Sequence, residues 1–136
     1  MRVKLDTGAY MPTRAHETDA GLDLYAMHDC TIPPNGVGFF DTGVHVEIPE
    51  GYVGMLTAKS GLMRQGITSR GTIDSGYTGS IRAILFNHFP YPVDIKQGQK
   101  ITQLVIMPII TPEMEVVGHL DKTDRGDGGF GSSGKF

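Results

Sequence analysis

The sequence predicts an all-β fold: a distorted jelly-roll or β-barrel of short antiparallel strands with one short helix and a flexible glycine-rich C-terminal arm. Three observations point there. Apolar and polar residues alternate with a period of two, glycine and proline interrupt the alternation about every ten residues, and only one segment has the composition of a helix. Glycine accounts for 19 of 136 residues, about twice its average share.

In chain order, Val3 and Leu5 alternate with Arg2, Lys4 and Asp6. Leu22, Leu24 and Ala26 alternate with Asp23 and Tyr25, and Val44, Val46 and Ile48 alternate with His45 and Glu47. Each reads as a strand with one buried face. Further strands are expected over Tyr52 to Thr57, Ser80 to Asn87, Ile101 to Ile106 and Glu113 to Val117. Turns are expected at Pro33-Pro34-Asn35-Gly36, Pro49-Glu50-Gly51 and Lys96-Gln97-Gly98-Gln99, where proline fixes φ or glycine accepts a positive one. Ser60 to Gln65 is the helical candidate, with good helix formers after a capping serine. Closure, or cover by other subunits, would hide the edges of so many short strands.

A length of 136 residues suits one β domain, 1–118, followed by an arm, 119–136, that contains five glycines between Gly126 and Gly134. The formal charge of −3 disfavours a non-specific nucleic-acid binder or a polybasic membrane docker. The longest apolar runs, such as Leu104 to Met107, fall far short of the roughly 18 residues of a membrane span. A cytoplasmic protein with neither a nucleic-acid nor a membrane partner is expected. Cys30 is the only cysteine, so an intrachain disulfide is excluded, and the five histidines have no metal-ligand spacing.

Four clusters carry chemistry. In the arm, Gly129 to Lys135 fits GxxxxGK, the opening of a phosphate-binding loop, but Phe136 stands where the magnesium-binding hydroxyl belongs and no helix can follow. Glycine amides can still contact phosphate, and Arg125 with Phe130 offers a cation and a stacking face; a frayed terminus is the plainer reading. Gly71 to Gly79 brackets Asp74 and Tyr77. Asp74 is either a turn carboxylate or a general base aimed at a water, and Tyr77 is either a half-buried strand-edge aromatic or a flat floor under a sugar or base. Lys59, Ser60 and Arg64 gather cations and a hydroxyl at the start of the short helix, an anion site or simply solvated charge. Asp23 and Gln103 are polar residues on alternating strands, where the solvent face is the default.

Taken in order, these clusters resemble the five motifs of the trimeric dUTPase family: AGLDLYA at Ala20 to Ala26, KSGL at Lys59 to Leu62, GTIDSGYTG at Gly71 to Gly79, GQKITQLVI at Gly98 to Ile106 and RGDGGFGSSG at Arg125 to Gly134. The resemblance implies a jelly-roll homotrimer that hydrolyses dUTP to dUMP and pyrophosphate with Mg2+. In the cell this limits uracil incorporation into DNA and supplies dUMP for thymidylate synthesis. It also implies three composite sites, each closed by the arm of a neighbouring chain. Asp74 would activate the water that attacks the α-phosphorus. Asp23 would meet, through water, a Mg2+ held mainly by the triphosphate. Lys59, Ser60, Gly61 and Gln103 would contact the phosphates, and Tyr77 would pack under deoxyribose. Arg125 would pair with the γ-phosphate, Phe130 would stack on uracil, and Gly129, Gly131, Ser132 and Ser133 would complete the lid. Uracil would be selected by backbone groups of a hairpin between Gly66 and Asp74, including Ser69, Gly71, Thr72 and Ile73.

Three departures accompany the resemblance. Lys59 replaces the usual arginine, which removes a bidentate phosphate contact. The 66–74 stretch is about three residues shorter than in many members and lacks their asparagine, so Ser69 is the candidate to stand in for it. Gly76 replaces a second aspartate, leaving Asp74 as the one candidate base. A dCTP deaminase on the same fold would need a glutamate near the third motif, where none occurs. A nucleotide-sensing module would keep the pocket and signal through a partner.

Overall fold

In the computed structural model, which describes residues 1–130 and 132–134, ten strands and one helical turn follow one another. They are β1 (Arg2–Leu5), β2 (Gly21–Tyr25), β3 (Cys30–Ile32), β4 (Val37–Asp41), β5 (Val44–Glu47), β6 (Tyr52–Ala58), α1 (Ser60–Met63), β7 (Ile67–Ile73), β8 (Arg82–Asn87), β9 (Val93–Ile95) and β10 (Lys100–Pro108). A six-stranded sheet runs β2-β10-β6-β7-β8-β4, with two-stranded sheets β1-β5 and β3-β9 beside it. Every pairing is antiparallel. The predicted all-β class with a single short helix is what the chain adopts. Among the described residues no helix is long and apolar enough to cross a membrane.

The alternation expected along β2 and β5 does place Leu24, Val44 and Val46 inside. Leu24, Val44, Val46, Ile48, Leu56, Ile73, Ile81 and Leu104 form one buried cluster, and Ile32, Phe40, Leu62, Ile67, Leu85, Ile95 and Ile101 belong to a second. β7 joins the two. Its first residues, Ile67 to Ser69, pair with β8, and Arg70 to Ile73 pair with β6, so the strand bends from one half of the curled sheet to the other and buries Ile67 in one cluster and Ile73 in the other. The expected turns are present: Gly36 N donates to Pro33 O at 3.1 Å and Gln99 N to Lys96 O at 3.0 Å, with positive φ at Asn35, Gly51 and Gly98.

Four expectations are corrected. The Gly66 to Asp74 stretch is no hairpin but the single strand β7, because its shortened length reaches β6 without turning back. Glu113 to Val117 forms no strand; it is exposed and has no strand partner among the described residues. The capping serine is instead the first helical residue. Lys59 occupies the N-cap, without a side-chain cap bond, and the helix closes at Met63 with Arg64 as its C-cap. Finally, β3, β4 and β9 arise in segments that carried no strand expectation. β3 and β9 are three-residue strands, too short to display a period.

Candidate active site

Asp23, in the middle of β2, lies directly opposite Gln103 on β10, which lies opposite Thr57 on β6; opposed residues share a face. On a flat ladder Lys100 would point to the core side. The register slips between Lys100 and Thr102, which pairs Lys100 with Tyr25, and a one-residue slip reverses which face a side chain takes. Lys100 therefore joins Asp23 and Gln103.

The solvent face expected by default for Asp23 is not where it lies. The residue is 2% exposed, and each carboxylate oxygen accepts from an ammonium: Oδ1 from Lys59 Nζ at 2.5 Å and Oδ2 from Lys100 Nζ at 2.8 Å. Burial alone would raise the Asp23 carboxyl, but the bonds from Lys100 and Lys59 outweigh it and hold the group below its ordinary 3.8. The Asp23 bond in turn raises Lys100 above its ordinary 10.5. Gly21 makes room for this cluster: a Cβ there would lie 2.8 Å from Gln103 Cδ, so any larger residue would displace the amide.

Lys59 leads directly into Ser60 and Gly61 at the start of α1. Ser60 is exposed, and no atom lies within 4 Å of where a Gly61 Cβ would stand. The result is an open cationic rim of Lys59, Lys100, Ser60 and Gln103, in which helix amides add to the positive potential. Lys100 had no role assigned from sequence; the signal available was a second cation inside the stretch that contains Gln103.

Asp74 and Tyr77 lie elsewhere. Asp74 is exposed just after β7. The Tyr77 amide donates to Asp74 O at 3.0 Å, and Tyr77 Oη donates to Ser80 O at 2.9 Å. Ser80 Oγ bonds in turn to Asp41 Oδ1. A Gly79 Cβ would stand 2.6 Å from Tyr77 Cζ, so glycine is what lets the ring fold back over the loop. Because Ile73 pairs with Gly54 at the start of β6 and Ser60 follows its end, Asp74 and Ser60 of one chain are about 20 Å apart at strand rise.

The remaining site candidates divide. Gly71, Thr72 and Ile73 lie on β7 where β6 flanks one edge and, among the described residues, no strand flanks the other. Ser69 is buried and its Oγ lies 3.2 Å from Thr102 Oγ1, which donates to Thr57 O at 2.9 Å; its hydroxyl is engaged in the core rather than presented to a base. Arg125, Gly129, Phe130, Ser132 and Ser133 lie on the arm, where Arg125 Nε donates to Gly128 O at 2.9 Å and Phe130 is fully exposed. Gly131, with Lys135 and Phe136, falls outside the described residues.

A family model described as dUTPase matches residues 7–134. The chain belongs to the dUTPase family. It is similar to the deoxyuridine 5'-triphosphate nucleotidohydrolase of Cutibacterium acnes, 44% identical over 129 residues, with 91% of this chain and 85% of that one covered. It is also similar to the enzyme of the same name from Gloeothece citriformis, 42% identical over 135 residues, with 96% and 93% covered. Among solved structures, the dUTPase of Staphylococcus bacteriophage 80alpha, determined with dUpNHpp, superposes with a TM-score of 0.91 at 34% identity, covering 98% of this chain and 97% of that one. The dUTPase of S. aureus phage phi11, described with a structural Mg(II) ion, gives a TM-score of 0.81 at 33% identity, with 87% and 96% covered.

This dUTPase therefore distributes its five motifs over three places. The first, second and fourth meet at the Asp23–Lys59–Gln103 face, the third stands at the other end of the β6-β7 pair, and the fifth extends on the arm. Among the described residues no group of three or more His, Cys, Asp or Glu side chains is placed to hold a metal, and the one buried carboxylate on the cationic face already faces two ammonium groups.

Proposed function

We propose that this chain hydrolyses Mg2+-bound dUTP to dUMP and pyrophosphate at sites assembled from three copies. The reading is carried by the dUTPase family match across residues 7–134. Asp74 takes the proton of a water as its oxygen attacks the α-phosphorus; the α–β bridging oxygen leaves with pyrophosphate. Ser60 and the amide of Gly61 donate to oxygens around the scissile bond, where negative charge accumulates. Lys59 and Gln103 hold the phosphate chain. A Mg2+ arriving with the nucleotide would supply neutralising charge to the triphosphate oxygens, and Asp23 would meet it through water once Lys59 turned towards phosphate.

Tyr77 packs under the deoxyribose and leaves no space for a 2′-hydroxyl. The strand-free edge of β7 at Gly71, Thr72 and Ile73 offers backbone donors and acceptors to uracil, a role in which Ser69 takes part through its main chain. Arg125 pairs with the γ-phosphate, Phe130 stacks on the base, and Gly129, Gly131, Ser132 and Ser133 close over the phosphates.

Two features support the homotrimer. Asp74 and Ser60 are too far apart in one chain to act on one phosphorus. Ile110, Met114 and Val116, on the segment after β10, are at least 87% exposed, and apolar side chains at this spacing on an extended segment suit burial against a second copy. A cytoplasmic location and a role in keeping uracil out of DNA while supplying dUMP complete the reading.

Hydrolysis of Mg2+-bound dUTP in 18O-labelled water tests the chemistry. The label is expected in the phosphate of dUMP; label in pyrophosphate would place the attack at the β-phosphorus and remove Asp74 as the base for attack at the α-phosphorus.

A further inference from the structure

His45, in the middle of β5, has no place in any of the five motifs, yet it touches the loop that carries Asp74 and Tyr77. Its side chain is 19% exposed. Nδ1 lies 2.8 Å from the Thr78 carbonyl oxygen, and Nε2 lies 3.0 Å from Asp6 Oδ2. A carbonyl oxygen accepts and never donates, and so does an ionised carboxylate. Both ring nitrogens must then carry hydrogen. In either neutral tautomer one ring lone pair would face an acceptor at one of these distances, so the bridge requires the imidazolium.

The surrounding charges are compatible with that state. Lys4 lies opposite His45 on β1 but is drawn to Asp6 Oδ1 at 3.5 Å. Arg2 and Glu47, the next charges along the two strands, pair with each other. Asp41 is near enough to Asp6 for the two carboxylates to repel. The Asp6 bond is the main cause that raises His45 above its ordinary 6.5, the Thr78 bond is the second, and desolvation opposes them.

We propose that protonated His45 is a positioning residue for the reaction: by holding the Thr78 carbonyl against β5 and the Asp6 turn, it fixes the loop that presents Asp74 and Tyr77. The inference rests on Asp74 as the base and Tyr77 as the surface under the sugar. The far end of the loop is secured independently, because Ile81 N donates to Val44 O at 2.8 Å and Ser80 bonds to Asp41. Between Asp74 and Thr78, the described bonds are the loop's own Tyr77-to-Asp74 turn, the bond from Tyr77 Oη to Ser80 O, and the His45 bridge, and of these the bridge is the one that reaches a strand outside the loop. The folded-state value of His45 lies above the unfolded one. The bridge is therefore complete at and below the ordinary histidine value and is lost as pH rises through the higher folded value.

The test combines kinetics from pH 6 to 9 with NMR of the His45 ring in the unmodified full-length protein. Glutamine carries both donor hydrogens on one nitrogen and cannot donate in two opposite directions. His45→Gln is expected to lower kcat at pH 6.5 roughly three- to tenfold through misalignment of Asp74 while the KM for dUTP stays within about twofold. The fall in wild-type kcat that follows His45 deprotonation is expected to be absent in this variant. Asp6→Asn is expected to shift that fall to lower pH. In the unmodified protein, both ring nitrogens are expected to be protonated at pH 6.5, and the Tyr77 and Thr78 amide signals to titrate with the ring.

Superimposable kcat–pH profiles for the wild type and His45→Gln, or a singly protonated ring at pH 6.5, would overturn the proposal. Should the variant fail to fold, the ring and amide titrations of the wild type decide alone. Absence of dUTP turnover at every pH would strike the hydrolase reading instead, and the same titrations would still report whether the bridge exists.

Discussion

Ser60 and Asp74 lie at opposite ends of the antiparallel β6-β7 pair: Ile73 is paired with Gly54, near the start of β6, and Ser60 comes two residues after Ala58, where β6 ends. At strand rise the gap is about 20 Å, several times the reach of a group acting on one phosphorus. On the proposed reaction, Asp74 of one copy would work beside Ser60 of another.

Two inactive variants should then rescue each other. Asp74→Asn is expected to cut kcat a hundredfold or more, the usual contribution of a positioned base, with dUTP binding retained. Ser60→Ala is expected to cut it as well, through a lost donor to developing charge. When the two chains are unfolded together in equal amounts and refolded, a random trimer has about one site in four with both residues intact. The mixture should regain about a quarter of wild-type activity, read in a steady-state assay; no recovery would place both residues in one chain's site.

The buried carboxylate of Asp23 predicts a pH-dependent stability. Its two ammonium partners hold it below 3.8 against the opposing effect of burial. The stabilisation is full above the unfolded value and is lost as pH falls through the lower folded one. Asp23→Ala leaves two ammonium groups facing each other and is expected to cost about 3–5 kcal/mol at pH 7. Lys100→Met leaves Lys59 in place and should cost less than Asp23→Ala. Urea unfolding at pH 7 and pH 3 checks both, and the gap between wild type and Asp23→Ala should narrow at the acid end.

Tyr77 and Gly79 act as one unit, since the tyrosine ring fills the space a Gly79 side chain would need. Tyr77→Ala should erode the preference for dUTP over UTP. Gly79→Ala should do so too, because its methyl displaces the ring and not because it touches the sugar. Comparing kcat/KM for the two nucleotides in each variant measures this; a ratio equal to wild type in both would take Tyr77 away from the sugar.

Chain truncation before Arg125 should leave a folded protein that turns over dUTP very slowly. The described residues of the arm contribute nothing to either buried cluster, so the melting temperature is expected to change by no more than about 2 °C. Full activity in the truncated chain would reduce the arm to a frayed end.

Local pattern makes much of the architecture legible. A period of two survives in β2 and β5, where one face of the strand is buried, so both can be read directly, and the turns announce themselves through Pro33, Gly51 and Gly98. Glu113 to Val117 has the same local pattern but finds no edge among the described residues of its own chain, because periodicity reports a tendency to pair and not the presence of a partner. The shortened stretch between Gly66 and Asp74 reads as a hairpin only by analogy with longer relatives; a strand that changes partner after Ser69 looks no different in sequence.

What the sequence determined alone was therefore the class of fold and the order of its five motifs, both of which depend on residue type and short spacing. Only the tertiary structure decided which of these residues meet. The register slip before Thr102 turned Lys100 towards Asp23, the pairing of β1 with β5 brought Asp6 to His45, and the length of β6 separated Ser60 from Asp74. Each depends on how distant segments align, and a one-residue change in alignment moves a side chain to the opposite face of a sheet without altering any local signal in the chain.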